Sequence, residues 1–443
     1  MVRPGLSTNH LIRRLRQSAF LRNVLVVMSG TAVAQAVGFA LSPVISRLFS
    51  PADFGVFGGF NAVTGVIAAF VTFDYSQAIM LPKQREDAGQ VFLLSCLVTF
   101  GVSLLCLLAC LILPGWFKGL LQTANGWLLG LLVLAVLVGG LNASFQAWCV
   151  RVKAFKQTST SQVVRGLSSN GLQVGLGFLK AGAPGLIISS VLANFVASLN
   201  LFRVVRAELR GFMAAARWAR LKSLAWEYRD FPQYSATASL INSLSLGLPV
   251  ILLTHFYGLT VAGSYAFAMR LIGAPMSLVL TALRQVLFQK AAEAYNEGRQ
   301  LTRLYLKITL GLFGVGLFPS LVLVAFAPRL FAWVFGGHWL QAGSFASSLV
   351  IWLLFMFCNV PAALFARILR LQRQLFLLGI ILLAARTACL YLGGRYSFPP
   401  AITIFLFSTV GGIMNLSFIC IVGFKLWRRE SRGQAVEFVQ AQT

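Results

Sequence analysis

The chain reads as an all-α polytopic membrane protein, with about twelve transmembrane helices arranged as two pseudo-symmetric six-helix lobes. Three observations predict this: a composition too apolar for a soluble domain, a ladder of apolar stretches of spanning length, and a weak likeness between the two halves. Of the 443 residues, 58% are hydrophobic and 11% charged. With a mean hydropathy of +0.80, the chain lies far outside the range of soluble globular domains.

The apolar stretches fall near 24–48, 55–81, 89–114, 127–150, 161–179, 184–202, 232–255, 261–283, 304–327, 343–366, 374–394 and 399–424. Each is close to the roughly 20 residues a helix needs to cross about 30 Å of hydrocarbon. They divide the chain into a basic segment 1–23, a first lobe 24–202, a linker 203–231, a second lobe 232–424 and a tail 425–443. No stretch between them is long enough for a soluble domain, so function is expected in the membrane bundle. The linker reads as an interfacial amphipathic helix, with Leu209, Phe212, Met213 and Ala216 on one face and Arg206, Arg210, Arg217 and Arg220 elsewhere. The N-terminal LIRRLRQSAFLRN has the same character.

The net charge of +26 would suggest nucleic acid in a soluble protein, so the placement of the Lys and Arg residues decides its meaning. They sit in alternate loops: of 37, 29 lie on the side that carries both termini and five on the other. The basic side is expected to be cytoplasmic, which puts both termini there. The charge then reports orientation and contact with anionic headgroups, and nucleic acid is not an expected partner. The seven cysteines all fall within the stretches, without the paired spacing of a zinc site, and no metal or cofactor is expected.

A shift of 208 residues superposes Gly55 on Gly263, Phe57 on Tyr265, Gly65 on Gly273 and Gln77 on Gln285. Pro43 recurs as Pro249 with a two-residue slip. These matches pair span 1 with span 7 and span 2 with span 8, the arrangement of a duplicated transporter.

Polar residues at helical spacing mark faces turned to a cavity or to a partner helix. Span 1 has Thr31, Gln35 and Ser42, and span 7 has Ser235, Ser239 and Asn242. Span 5 has Gln162, Arg165, Ser169 and Gln173, span 8 has Arg270, Ser277, Thr281 and Arg284, and span 12 has Ser408, Gly412 and Asn415. Of these, Gln35, Gln173, Ser239, Asn242 and Thr281 are candidate cavity-lining residues, and close helix packing is the competing reading. Arginine is a stronger signal, because its guanidinium stays charged and costs roughly 2.5–3.5 kcal/mol at a helix centre. Arg270, Arg386 and Arg165 are therefore the candidate residues of a cationic cavity that binds an anionic substrate such as a diphosphate. Arg165 is also close enough to a helix end to snorkel. The one acid inside a span, Asp74 in VTFDYSQAIMLPKQREDA, could pair with a cavity arginine, couple to a proton or cation, or reach the interface. Prolines 43, 249, 275 and 361 are candidate bend points. His338, beside Trp333 and Trp339, reads as part of an interface-anchoring cluster.

Four segments, ISRLFSPADFGVFGGF (45–60), AIMLPKQREDA (78–88), YRDFPQYSATASLINSLSLGLPVILLTHFYG (228–258) and GSYAFAMRLIGAPMSLVLTALRQVLFQKAAEAYNEGR (263–299), resemble bacterial polysaccharide exporters of the Wzx flippase type. These belong to the multidrug/oligosaccharidyl-lipid/polysaccharide (MOP) exporter superfamily. The resemblance implies a MATE-like fold in the bacterial inner membrane. It also implies movement of an undecaprenyl-diphosphate-linked oligosaccharide, for O-antigen or another surface polysaccharide, from the cytoplasmic to the periplasmic leaflet. A polysaccharide polymerase and a chain-length regulator are the protein partners it suggests. The alternatives are a cation-coupled multidrug exporter of the same superfamily, a peptidoglycan-precursor flippase, and a membrane-embedded polysaccharide-biosynthesis enzyme. The enzyme would need acids or histidines clustered at a membrane face, and the eleven acids and three histidines show no such constellation.

Overall fold

The computed structural model describes residues 19–122, 126–214, 216–296, 300–369 and 371–440. The described residues are helical throughout, joined by short turns. In the first half, α1 is Ala19–Leu48, α2 Pro51–Ala68, α3 Tyr75–Ala78, α4 Arg85–Ile112, α5 Pro114–Leu121, α6 Trp127–Arg151, α7 Phe155–Phe178 and α8 Gly182–Ala214. The short α9, Trp218–Glu227, leads into a π-helical turn, Phe231–Ser235. The second half has α10 Ala236–Tyr257, α11 Leu259–Asn296, α12 Leu301–Phe335, α13 Leu340–Cys358, α14 Val360–Ile368, α15 Gln372–Arg395 and α16 Pro400–Gln440. Most of LIRRLRQSAFLRN lies outside the described residues, as do the side chains of Thr281 and Arg284.

Ten of these segments are long and apolar enough to cross a membrane. Two of the twelve predicted spans depart from that description, for different reasons. The fifth, α7, has the length but carries a run of Gln, Ser, Thr and Asn that lowers its hydropathy. The second is broken: α2 stops at Ala68, and a turn separates it from the single helical turn α3. The break falls at none of the predicted bend points: Pro43, Pro249 and Pro275 lie inside continuous helices, and Pro361 follows a separate interruption at Asn359, between α13 and α14.

The chain forms two compact units, one of Val63–Leu240 with the residues up to Leu48, the other of Phe49–Ala62 with Ile241 onward. In the first unit, α7 packs on α1 and α8, and α6 on α4 and α8. The close approach of α1 to α7 needs small residues: a Cβ on Gly166 would lie 2.6 Å from the Ala34 Cβ. The polar helix is thus covered by α1 and α8. A second core gathers Phe92, Phe145, Trp148 and Phe212 beneath α9. Helix α8 runs well past the predicted end of its span, so Phe212 and Met213 separate, Phe212 buried and Met213 exposed.

In the second unit, α13 is the central helix, packed by α12, α16 and α11. Trp339 is fully buried against Phe267, with ring centroids 3.9 Å apart. The expected interface cluster therefore splits, with Trp333 exposed and Trp339 in the core. The start of α2 crosses the start of α11 in this unit. A Cβ on Gly55 would lie 2.2 Å from the Leu259 carbonyl oxygen, and one on Gly263 would lie 1.7 Å from the Pro51 carbonyl oxygen. Pro51 and Leu259 are themselves 208 residues apart. The crossing is thus reciprocal between repeat-related residues, as a local two-fold axis requires.

Candidate functional site

Among the described residues, each unit has one buried charged side chain. In the first unit it is Asp74, at the break in span 2. Phe73 and Asp74 both have left-handed backbone, with φ of 46° and 57°. Asp visits this region readily, whereas for Phe it costs roughly 1–2 kcal/mol. Continued α-helix is not possible there, and this turns the Asp74 carboxylate inward at 8% exposure. Ser235 Oγ donates to Asp74 Oδ2 at 2.6 Å and Ser239 Oγ donates to the same oxygen at 3.2 Å. Both donors come from the π-helical turn and the start of α10, four residues apart on one face. Thr72 and Ser76 hydroxyls lie 3.2 Å apart beside them. Among the described residues no arginine pairs with Asp74; its partners are these two serines.

Carbonyls in the turn that follows α3 are also satisfied. Arg151, at the end of α6, donates through Nη1 to the Ile79 oxygen and through Nη2 to the Pro82 oxygen, both at 2.7 Å. Tyr75 Oη donates to the Ala225 oxygen at 3.2 Å. The break is therefore an ordered element held from three sides.

In the second unit the deep charge is Arg386 on α15, at 4% exposure. Its guanidinium carbon is 3.8 Å from the ring centroid of Trp352 and 3.8 Å from that of Phe407. Both rings provide cation–π attraction, yet Nε and Nη2 have no hydrogen-bond partner. Arg270 is half-buried on α11, with its guanidinium carbon 5.8 Å from the Phe54 ring. The two arginines therefore lie against different ring sets.

The other predicted residues divide between packing and exposure. Gln173 is buried and donates to Ser169 Oγ at 3.2 Å within α7. Gln35 is half-buried on α1, while Arg165 and Asn242 are exposed. Ser239 joins Asp74, as given above. In span 12 the polar stripe is structural: Ser408 Oγ accepts from the Trp352 backbone N–H at 3.1 Å, and the Asn359 amide donates to Asn415 Oδ1 at 2.7 Å. Arg151 was overlooked in the sequence, where it counts as one more loop cation. Its only signal there is its place at the end of an apolar run. Among the described residues no group of His, Cys, Asp or Glu could hold a metal ion.

Residues 44–344 match a family model described as polysaccharide biosynthesis protein. No curated protein sequence matches the chain. Among solved structures, an inward-facing MATE-family multidrug resistance transporter of the MOP superfamily superposes with a TM-score of 0.71 at 15% identity, over 90% of this chain and 96% of that one. The lipid II flippase MurJ in an inward closed conformation gives 0.68 at 12% identity, over 94% and 93%. A MOP superfamily transporter from Pyrococcus furiosus, for which a binding pocket of reverse polarity suggests a different function, gives 0.60 at 14%, over 91% and 95%. At such identities these likenesses establish the fold, a multi-pass helical membrane architecture.

Proposed function

Because the chain belongs to the polysaccharide biosynthesis protein family and has the MOP exporter fold, we propose that it is a flippase for an undecaprenyl-diphosphate-linked oligosaccharide. It carries this lipid from the cytoplasmic to the periplasmic leaflet of a bacterial inner membrane, with both termini cytoplasmic. The lobes 24–202 and 232–424 alternate access to a path for the glycan and diphosphate, while the polyprenyl tail stays in lipid. A polymerase and a chain-length regulator are its expected neighbours in the pathway.

The observation that carries this reading is Arg386. A permanent cation almost withdrawn from solvent, with two aromatic rings against it and two nitrogens unpaired, has the chemistry to receive a polyanion once the surrounding helices part. Arg270 and Arg165 add positive charge in each half. Asp74, Ser235 and Ser239 form a separate carboxylate–hydroxyl group suited to take a proton or a cation during the cycle. Gln35, Gln173, Asn242 and Thr281 are assigned to the path in the same proposal.

The test is transfer of an undecaprenyl-diphosphate oligosaccharide across liposomes holding the purified protein. Arg386→Gln should lower the rate at least tenfold with protein abundance unchanged, and Arg270→Gln by less. Wild-type rates in the double variant would refute the arginine path. No transfer by the wild type under controlled ion gradients would favour a drug exporter instead.

A further inference from the structure

A flank of α9 has no role in the reading above. Leu221 and Leu224 are buried against α4 and the core beneath it, so the helix lies with one face fixed on the protein. At 100° per residue, Trp218, Lys222 and Trp226 fall at i, i+4 and i+8 and form one stripe of α9, which Arg229, two residues past the helix end, continues by its contact with Trp226. Trp218 is 77% exposed and Trp226 69% exposed. The Arg229 guanidinium carbon sits 4.4 Å from the Trp226 ring centroid. No acid lies on this stripe. Glu227 falls one residue round the helix, toward Arg220, which is bound bidentately by Asp87 through Nε at 2.9 Å and Nη2 at 2.7 Å.

A second neighbouring cation is also paired with an acid. Arg85 is likewise consumed by Glu208, through Nε at 3.1 Å and Nη2 at 2.7 Å. The two ion pairs staple α8 and α9 to the charged first turn of α4, where an apolar spanning helix begins. Among the described residues Lys222 and Arg229 have no acidic partner; Lys222 lies between the two exposed indoles in sequence and Arg229 beside the second. Indole rings favour the level where the hydrocarbon ends because one edge is apolar and the other carries an N–H donor, and a cation beside them meets phosphate oxygens.

We infer that the Trp218–Lys222–Trp226–Arg229 stripe is a binding surface for the headgroups of anionic phospholipids. The indoles seat α9 in the interfacial layer and Lys222 and Arg229 take the phosphodiester and its net negative charge. The segment following Arg229 leads within six residues to Ser235, the nearer donor to Asp74. Headgroup occupancy therefore bears on the element that supplies both of that carboxylate's hydrogen bonds.

Hydrogen–deuterium exchange on the full-length protein tests this in nanodiscs of phosphatidylcholine alone and of phosphatidylcholine with phosphatidylglycerol. The segment 216–230 should exchange at least threefold more slowly with phosphatidylglycerol. Lys222→Gln/Arg229→Gln should abolish that difference while α6, far from the stripe in sequence, keeps wild-type protection. Trp218→Ser/Trp226→Ser should speed exchange of the segment in both lipids. The inference is overturned if wild type exchanges alike in both lipids, or if the difference survives in the charge variant. A slowing that follows protein concentration and ignores lipid composition would overturn it in favour of contact with a second copy.

Discussion

The second helix of each half begins in the same way and ends differently. Pro51 opens α2 and Leu259 opens α11, and the glycines one turn in, Gly55 and Gly263, let each backbone pass against the other. Beyond that crossing α2 stops at Ala68, whereas α11 continues unbroken to Asn296 through Pro275. At the same 208-residue offset Asp74 corresponds to Ala282, and Arg270 to Ala62. Packing at the crossing is shared by the two halves while charge is not. What recurs at the 208-residue offset is the set of positions where helices must touch, and each charged group belongs to one half alone.

The largest effect should come from breaking the shared part. Gly263→Leu would force a side chain into the Pro51 carbonyl, and backbone has no rotamer to yield. The cost should exceed the roughly 1–3 kcal/mol of ordinary overpacking. No monodisperse protein is expected by size-exclusion chromatography. Gly65 and Gly273 are also repeat-related, but a Cβ at either meets nothing within 4 Å. Alanine at both should leave thermal stability equal or slightly higher, since Gly inside a helix costs about 0.5–1 kcal/mol relative to Ala. Loss of fold in the alanine variants would mean that the crossing extends further than these contacts show.

The next effect concerns the unshared charge. Asp74→Asn keeps the size of the side chain but leaves no ionisable group, so transport should fall at least tenfold and lose its dependence on an ion gradient. Ala282→Asp, which copies the charge to the corresponding position in α11, should not restore it. Rescue by Ala282→Asp would show that the halves are interchangeable and that the comparison is mistaken.

Much of this asymmetry was legible in the sequence. Helix count, spanning length and the 208-residue repeat all follow from hydropathy and from a few glycines whose type is dictated by backbone approach. The pattern also marked Asp74, Arg270 and Arg386 as anomalous, because charge in an apolar run stands out whatever its partner. It did not show the partners. Ser235 and Asp74 are 161 residues apart, and nothing in local spacing links them. The break at Phe73 and Asp74 was hidden for another reason. Neither residue is Gly or Pro, so the usual punctuation of a helix end is absent and the apolar run reads through. Arg151 was invisible because its role depends on carbonyls 72 and 69 residues away, in the turn that follows α3.

That role gives a smaller, local prediction. Arg151→Gln removes two charge-assisted bonds to the Ile79 and Pro82 carbonyls, each worth about 1.5–3 kcal/mol at most. Residues 79–84 should lose protection from hydrogen exchange by ten- to a hundredfold, while the global transition moves little. The equivalent stretch of the second half lies within continuous α11 and should be unaffected, which separates a local anchor from a general loss of stability.

The smallest effect falls on Phe73, whose left-handed backbone is held by the surrounding bonds. Phe73→Gly relieves strain of roughly 1–2 kcal/mol but increases the freedom of the unfolded chain by about 0.5–1 kcal/mol. The balance is a gain of up to about 1.5 kcal/mol, visible as a small rise in melting temperature. Thr281→Gly, at the corresponding position of α11, lies in continuous helix and should lower stability by about the helix cost of glycine alone. Opposite signs at two positions 208 residues apart would show that the break is built into the backbone of the first half. Equal losses at both would mean that Phe73 contributes through its side chain, and that the left-handed turn is imposed by Asp74 and its serines alone.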